Sequence, residues 1–205
     1  MKTQTNVVPT LRGRHAGLEP LRTGHADGLR LATADGELWR RWYTNVPAPE
    51  AVDDYVAAAL AMQAGGTAMV FAVRDADGAI VGTTRYYDID PSIPRLSIGY
   101  TWYARRVHRT GLNTEAKLLL LGHAFESLGC IAVALETSWF NQASRAAIER
   151  LGARQDGVLR NHRRHSDGTV RDTVVFSILD SEWPAVKANL VGRLVAHDQR
   201  LSRAP

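Results

Sequence analysis

The run Tyr103-Ala104-Arg105-Arg106-Val107-His108-Arg109-Thr110-Gly111-Leu112-Asn113-Thr114-Glu115 gathers three arginines and a histidine around one glycine. It joins an apolar, strand-like segment to a strong helical one. A strand-to-helix junction leaves backbone N–H groups unpaired at the positive end of the helix dipole, and that combination attracts anions. Gly111 would let the chain turn tightly and come close to a ligand. Asn113 would cap the helix, and Arg105, Arg106 and Arg109 would add charge. The same letters also fit an ordinary connection with surface arginines. No Gly-Lys-Ser/Thr of a P-loop follows, and the three-glycine dinucleotide pattern is missing. A second group starts at Asn141, with Ser144 and Arg145 three and four residues on. By itself it reads as an N-cap ahead of a helix whose core stripe is Ala147, Ile148 and Leu151. His162 lies in the basic run Arg160 to His165. An imidazole titrating at about pH 6.5 suits a base at neutral pH, and an exposed strand histidine is the plainer reading.

Several elements must hold these groups in place. Leu18 to Leu21 reads as the end of a first strand, followed by short helices at His25–Ala34 and Glu37–Thr44 and a longer one from Pro49 to Ala64. Val52, Val56, Ala59, Leu60 and Gln63 give that longer helix an apolar stripe with one polar edge. The period then changes to two. Ala68–Val73 and Ala79–Tyr87 flank the turn Asp75-Ala76-Asp77-Gly78, and Arg95–Tyr103 follows with Leu96, Ile98 and Tyr100 on one face. A helix from Asn113 to Leu128, a strand from Cys130 to Thr137 and a helix from Asn141 to Leu151 come next. Strands near Val158–Arg164 and Val170–Leu179 flank Ser166-Asp167-Gly168, and a helix from Glu182 ends the chain. The order predicts one α/β (α+β) domain over residues 15–197, with a mixed, mostly antiparallel sheet of about seven strands. Residues 1–14 read as a flexible arm and 198–205 as a tail.

Composition narrows the partners. The 205 residues are 45% hydrophobic and 22% charged, enough for one full core. Twenty-five Lys and Arg against 21 Asp and Glu leave a net charge of +4, too modest to choose among polyanions. No run approaches the ~18 apolar residues of a membrane span. The lone cysteine, Cys130, sits in an apolar stretch and excludes an internal disulfide, so the expected location is cytoplasmic.

The order strand, arginine turn, helix, strand, Asn-initiated helix resembles the GCN5-related N-acetyltransferase (GNAT) superfamily, and within it the RimJ/RimL-like branch. The similarity spans roughly residues 15–190. The family loop, Gln/Arg-x-x-Gly-x-Gly/Ala, aligns on His108-Arg109-Thr110-Gly111-Leu112-Asn113; Gly111 matches and His108 and Asn113 depart. Thr114-Glu115-Ala116 is typical of the branch. The resemblance implies that backbone amides of this turn bind the pyrophosphate of acetyl-CoA, the acyl donor, with no metal. It implies that the strand ending in Trp102-Tyr103 splays from the next to admit pantetheine. Asn141 would bond the pantetheine arm, and Arg145 and Lys117 are secondary phosphate ligands.

The implied reaction is direct attack of a primary amine, from a protein N-terminus, a peptide or a small molecule. Many members place an acidic tyrosine seven residues after the Asn; here Ile148 stands there, so Ser144 becomes the proton donor to the thiolate. Base candidates are His162, Glu136 beside the slot, and a water chain. Glu115 is expected to favour its helix terminus, and Asp172 to serve its hairpin. Trp39, Trp42, Tyr43 and Tyr86 either line the acceptor groove or pack the core. A degenerate acyl-CoA-binding protein without catalysis is the alternative, nucleic-acid binding is disfavoured, and a homodimer is expected by analogy.

Overall fold

A computed structural model describes residues 7–165 and 167–203. Residues 1–6 of the segment read as an arm, Ser166 of the late turn and residues 204–205 of the tail lie outside the described residues. Eight strands form one sheet: β1 (Leu11–Arg12), β2 (Gly17–Pro20), β3 (Ala68–Arg74), β4 (Ile80–Asp90), β5 (Arg95–Tyr103), β6 (Ala132–Ser138), β7 (Arg154–Arg164) and β8 (Val170–Leu179). Their order across the sheet is β1-β2-β3-β4-β5-β6-β8-β7. Every neighbouring pair is antiparallel except β5–β6, which is parallel. The helices are α1 (Ala26–Ala34), α2 (Val52–Ala64), α3 (Leu112–Gly122), α4 (Gln142–Glu149) and α5 (Trp183–Ser202). None of the described helices is long and apolar enough to cross a membrane.

The core explains why β3 reads as an unbroken apolar run. Ala68 to Val73 are all buried because helices cover both faces of the sheet. From one face α2 lays Val52, Val56 and Ala59 on the sheet, while Gln63 at its polar edge accepts the Val70 N–H. On the other, Tyr86 of β4 reaches α3 and donates its hydroxyl to the Leu120 carbonyl at 2.6 Å. Tyr86 is therefore core, with no exposed surface to offer an acceptor. Cys130 is buried, and burial pushes its thiol up to about 11.

Four expectations are corrected. An eighth strand exists because Leu11–Arg12, within the segment read as an arm, pairs with Gly17 and Leu18. The Glu37–Thr44 helix shrinks to one 3-10 turn, Leu38–Arg40, because Glu37 takes positive φ (45°) ahead of it and Arg41 turns to extended backbone (φ -85°, ψ 111°) after it. The helix after the arginine turn is α-helical to Gly122 and then widens into a π turn, His123–Ser127. Tyr100 does not share a face with Leu96 and Ile98. Thr83 opposes Trp102 while Arg85 opposes Gly99, so β5 carries one extra residue there, and Tyr100 (φ 51°) is thrown onto the α2 face.

Candidate functional site

Two features converge where β5 hands over to α3. The first is the turn itself. Arg105, Arg106, His108, Arg109 and Thr110 are exposed, ahead of an 11-residue helix. The N–H groups of Arg109, Thr110, Gly111, Asn113 and Thr114 take no acceptor among the described residues. They are the orphan donors that a helix N-terminus offers an anion. The turn is held from within: Thr110 Oγ1 donates to the Val107 carbonyl and accepts the Leu112 N–H, and the His108 ring nitrogen Nε2 lies 3.0 Å from the Tyr103 carbonyl.

Local roles differ from the sequence reading. Arg109, not Gly111, carries the positive φ (62°), and Gly111 is the N-cap. A Cβ on Gly111 would come within 2.9 Å of the His15 ring, so its smallness admits the β1–β2 loop. Asn113 lies inside the helix rather than capping it. Arg106 is tied to Asp75 at 2.7 Å, whereas Arg105 and Arg109 have no ionic partner among the described residues.

The second feature is a slot. The β5–β6 ladder pairs Arg95 through Ile98 with Ala132 through Leu135 and then stops. Past that point Gly99–Tyr103 and Glu136–Ser138 diverge, as the bulge at Tyr100 bends β5 away. Trp102 and Tyr103 are buried on its wall. Two hydrogen-bond chains brace the bulge from opposite faces. On the α2 face Trp102 Nε1 donates to the Tyr55 hydroxyl (3.2 Å), which lies 2.9 Å from Thr83 Oγ1, which in turn donates to the Tyr100 carbonyl. Across the sheet Lys117 Nζ donates to Thr101 Oγ1 at 2.8 Å, and Thr101 meets Thr84 at 2.7 Å.

Glu136 is the first β6 residue beyond the last β5–β6 pair. Its side chain is largely buried, and Oε2 lies 3.3 Å from Arg163 Nη2. Asn141 caps α4 through Oδ1, which accepts the Ser144 N–H at 3.1 Å. The half-buried Ser144 hydroxyl has no partner among the described residues. Arg145 stacks on Trp139 at 4.4 Å. His162 is exposed on the edge strand β7, without a polar partner among the described residues. In the basic run, Arg160 pairs with Asp172 (2.6 Å) and Arg164 donates to the Gly168 carbonyl.

Four residues have roles that the sequence did not disclose. Glu115 accepts N–H groups from Arg14, His15 and Ala16, which clamps the β1–β2 loop onto α3. Lys117 points away from the turn into the core, 5% exposed, and desolvation pushes its amine down to about 7. Arg85 is buried across the sheet from it, with its guanidinium 4.1 Å over the Tyr100 ring. His165 is buried with its Nε2 3.5 Å from Ser138 Oγ and its ring 4.9 Å from that of Trp42, which also packs on Phe140. Burial, then the nearby Arg171 charge, lowers the His165 pKa. Among the described residues no three His, Cys, Asp or Glu side chains are grouped to hold a metal.

Comparison with known proteins agrees with this geometry. Residues 15–154 match the family model of the "Acetyltransferase (GNAT) domain". The protein named "Putative ribosomal N-acetyltransferase YdaF" of Bacillus subtilis (strain 168) is 32% identical over 111 residues, 54% of this chain and 60% of that protein. A GCN5-related N-acetyltransferase from Brucella melitensis superposes with a TM-score of 0.82 at 30% identity, covering 93% of this chain and 87% of that one. Mycobacterium smegmatis RimJ, solved in complex with CoA-disulfide, shares the fold at a TM-score of 0.74 and 24% identity, over 91% and 93% of the two chains. A split sheet beside an open helix N-terminus, with these matches, shows that the chain belongs to the GNAT acetyltransferase family.

Proposed function

We propose that the protein transfers an acetyl group from acetyl-CoA to a primary amine by direct attack. The observation that carries this reading is the open N-terminus of α3 next to the split in the sheet. Five N–H groups, from Arg109, Thr110, Gly111, Asn113 and Thr114, are unpaired among the described residues at this turn, and Arg105 and Arg109 add charge to it. These groups suit the pyrophosphate, with His108 and Leu112 shaping the turn. The slot walled by Trp102 and Tyr103 suits the pantetheine arm, along which Asn141 and Arg145 offer polar groups from the start of α4.

Chemistry follows from the position of the thioester at the slot. The amine nitrogen bonds to the acetyl carbon as the carbon–sulfur bond breaks; the amine loses one proton and the leaving thiolate takes one. Glu136 stands at the mouth of the slot and accepts the amine proton; of the two named base candidates it is the better placed, since His162 is exposed on the far edge strand. Ser144, with an unengaged hydroxyl, delivers the proton to sulfur. A backbone N–H of the Trp102–Tyr103 end of β5 stabilises the oxyanion. The acceptor is a protein N-terminus or a smaller amine. The name of the Bacillus relative supports the first and a cytoplasmic location.

Isothermal titration with acetyl-CoA and a thiol-release assay over amines and N-terminal peptides test this together. The expected result is binding plus release. Binding without release identifies a degenerate binder, and absence of both defeats the reading. Ser144→Ala lowers kcat at saturating acetyl-CoA; unchanged turnover removes Ser144 as the acid.

A further inference from the structure

The face of the sheet that α2 covers carries more positive charge than its own residues balance. Arg85 is 3% exposed. One of its nitrogens, Nη1, donates to the thioether of Met62 at 3.1 Å, a weak acceptor. Nε is buried with no partner among the described residues, and no carboxylate among them forms an ion pair with it. What it does have is two aromatic rings: Tyr100 at 4.1 Å and Tyr55 at 5.1 Å. Cation–π contacts offset only part of the cost of burying a charge. Burying a charge without a counterion costs far more than such contacts return, so the rings do not settle the balance. An arginine, unlike a lysine, cannot escape by shedding its proton.

A second cation is close by. Arg171 of β8 is half-buried, its Nε also sealed and unpartnered among the described residues. It lies directly across from Arg163 in the β7–β8 ladder. Its pKa is lowered first by burial and then by Arg163, while Glu136, Tyr87 and Tyr100 oppose that trend. Tyr100, the ring under the Arg85 guanidinium, packs 5.3 Å from the ring of Tyr87 and is about a third exposed. Glu136 is the carboxylate at this place and Arg163 already engages it. His165, beside Arg171, is held toward its neutral form. Arg163 and Arg171 thus oppose each other in the β7–β8 ladder with one carboxylate, Glu136, which stands just past the end of the β5–β6 ladder, and Arg85 has no ion pair among the described residues.

We propose that the acceptor is an amine that also carries a carboxylate, which seats on Arg171, on the face of the sheet that also holds the uncompensated charge of Arg85. This rests on the reading of the β5–β6 split as the transfer site. Glu136 attracts the ammonium end and Arg171 the carboxylate end, so one acceptor is held at two points with its nitrogen toward the thioester. The requirement is met by a free amino acid or by a polypeptide N-terminus with an acidic side chain.

The test is thiol release at saturating acetyl-CoA with acceptors in matched pairs. One arm sets β-alanine against its amide and other amino acids against theirs. The other sets N-terminal peptides with Asp or Glu in the first three positions against their Asn or Gln counterparts. The carboxylate member of one arm shows at least tenfold higher kcat/KM, and the arm that responds identifies the source. Arg171→Gln collapses that ratio toward one through KM for the acceptor, with KM for acetyl-CoA within twofold of the parent; Arg171→Lys restores part of it. Equal rates within every pair, or an Arg171→Gln loss of the same size on both members, overturn the proposal while leaving acetyl transfer intact. No release from any amine overturns the transfer reading, and this one with it.

Discussion

Lys117 and Arg85 are two buried cations on opposite faces of the same pair of strands, and they differ in how burial is made tolerable. Lys117 projects from α3, spends one hydrogen on Thr101 and has its pKa pushed down to about 7. It adapts by giving up its proton. Arg85 has no such exit and sits under Tyr100 with a nitrogen unpaired. The first charge belongs to the scaffold of the bulge. The second is an unsettled demand on the proposed acceptor side of the split. A buried cation points to a ligand only when neither its neighbours nor its own titration can satisfy it.

The largest effect expected from breaking this contrast is on Arg85. Arg85→Met lowers kcat/KM for the acceptor by more than tenfold, while its thermal midpoint equals or exceeds that of the parent, since a well-packed apolar side chain replaces a poorly compensated charge. Loss of activity together with stability would make Arg85 an ordinary structural residue. Lys117→Met comes next, with turnover within threefold and a gain of about 1–3 kcal/mol at pH 6. Its sign follows from linkage. Folded Lys117 releases its proton near pH 7, whereas the unfolded chain keeps it to about pH 10.4. Across that window the unfolded state holds the extra proton, so the parent gains stability as pH rises. The margin of the variant over the parent therefore shrinks from pH 6 toward pH 10, readable from urea midpoints.

Smaller changes sharpen the comparison. Tyr100→Leu removes one ring from Arg85 and costs about 1 kcal/mol of stability, with a severalfold rise in KM for the acceptor. Thr101→Val takes away the hydrogen-bond partner of Lys117 and costs about 1 kcal/mol near pH 6, less above pH 9, where the amine is neutral. A loss that is flat with pH would mean that Thr101 acts through Thr84 alone.

The sequence showed the donor half of this site better than the acceptor half, for a physical reason. Arg95–Tyr103 and Val170–Leu179 were legible to the residue, because alternation and turn letters are local. So was the turn into α3, since a helix N-terminus after a strand is a short-range pattern. The bulge was not, because it depends on how β4 and β5 register, and Tyr100 was assigned to the wrong face in consequence. Arg85 sits in Thr83-Thr84-Arg85-Tyr86-Tyr87, where a lone arginine looks like an ordinary outward position of a strand. What buries it, Tyr55 and Met62 of α2 and the displaced Tyr100, arrives from elsewhere in the chain. Glu115 was read as a local helix feature for the same reason, since its partners Arg14, His15 and Ala16 lie about a hundred residues earlier.

That clamp bears on how the protein comes to be competent. Glu115 carries a carboxylate in the first turn of the very helix whose positive end is open to an anion. Before the β1–β2 loop docks, that carboxylate is free to compete for the same N–H groups and to repel a phosphate. Once the β1–β2 loop docks, three amides draw it aside, at contacts spanning 99 to 101 residues. Contacts of such sequence separation close late in folding. The β1–β2 loop thus forms a long-range latch on this helix, and on the proposed reading affinity for the donor would report whether that latch has closed.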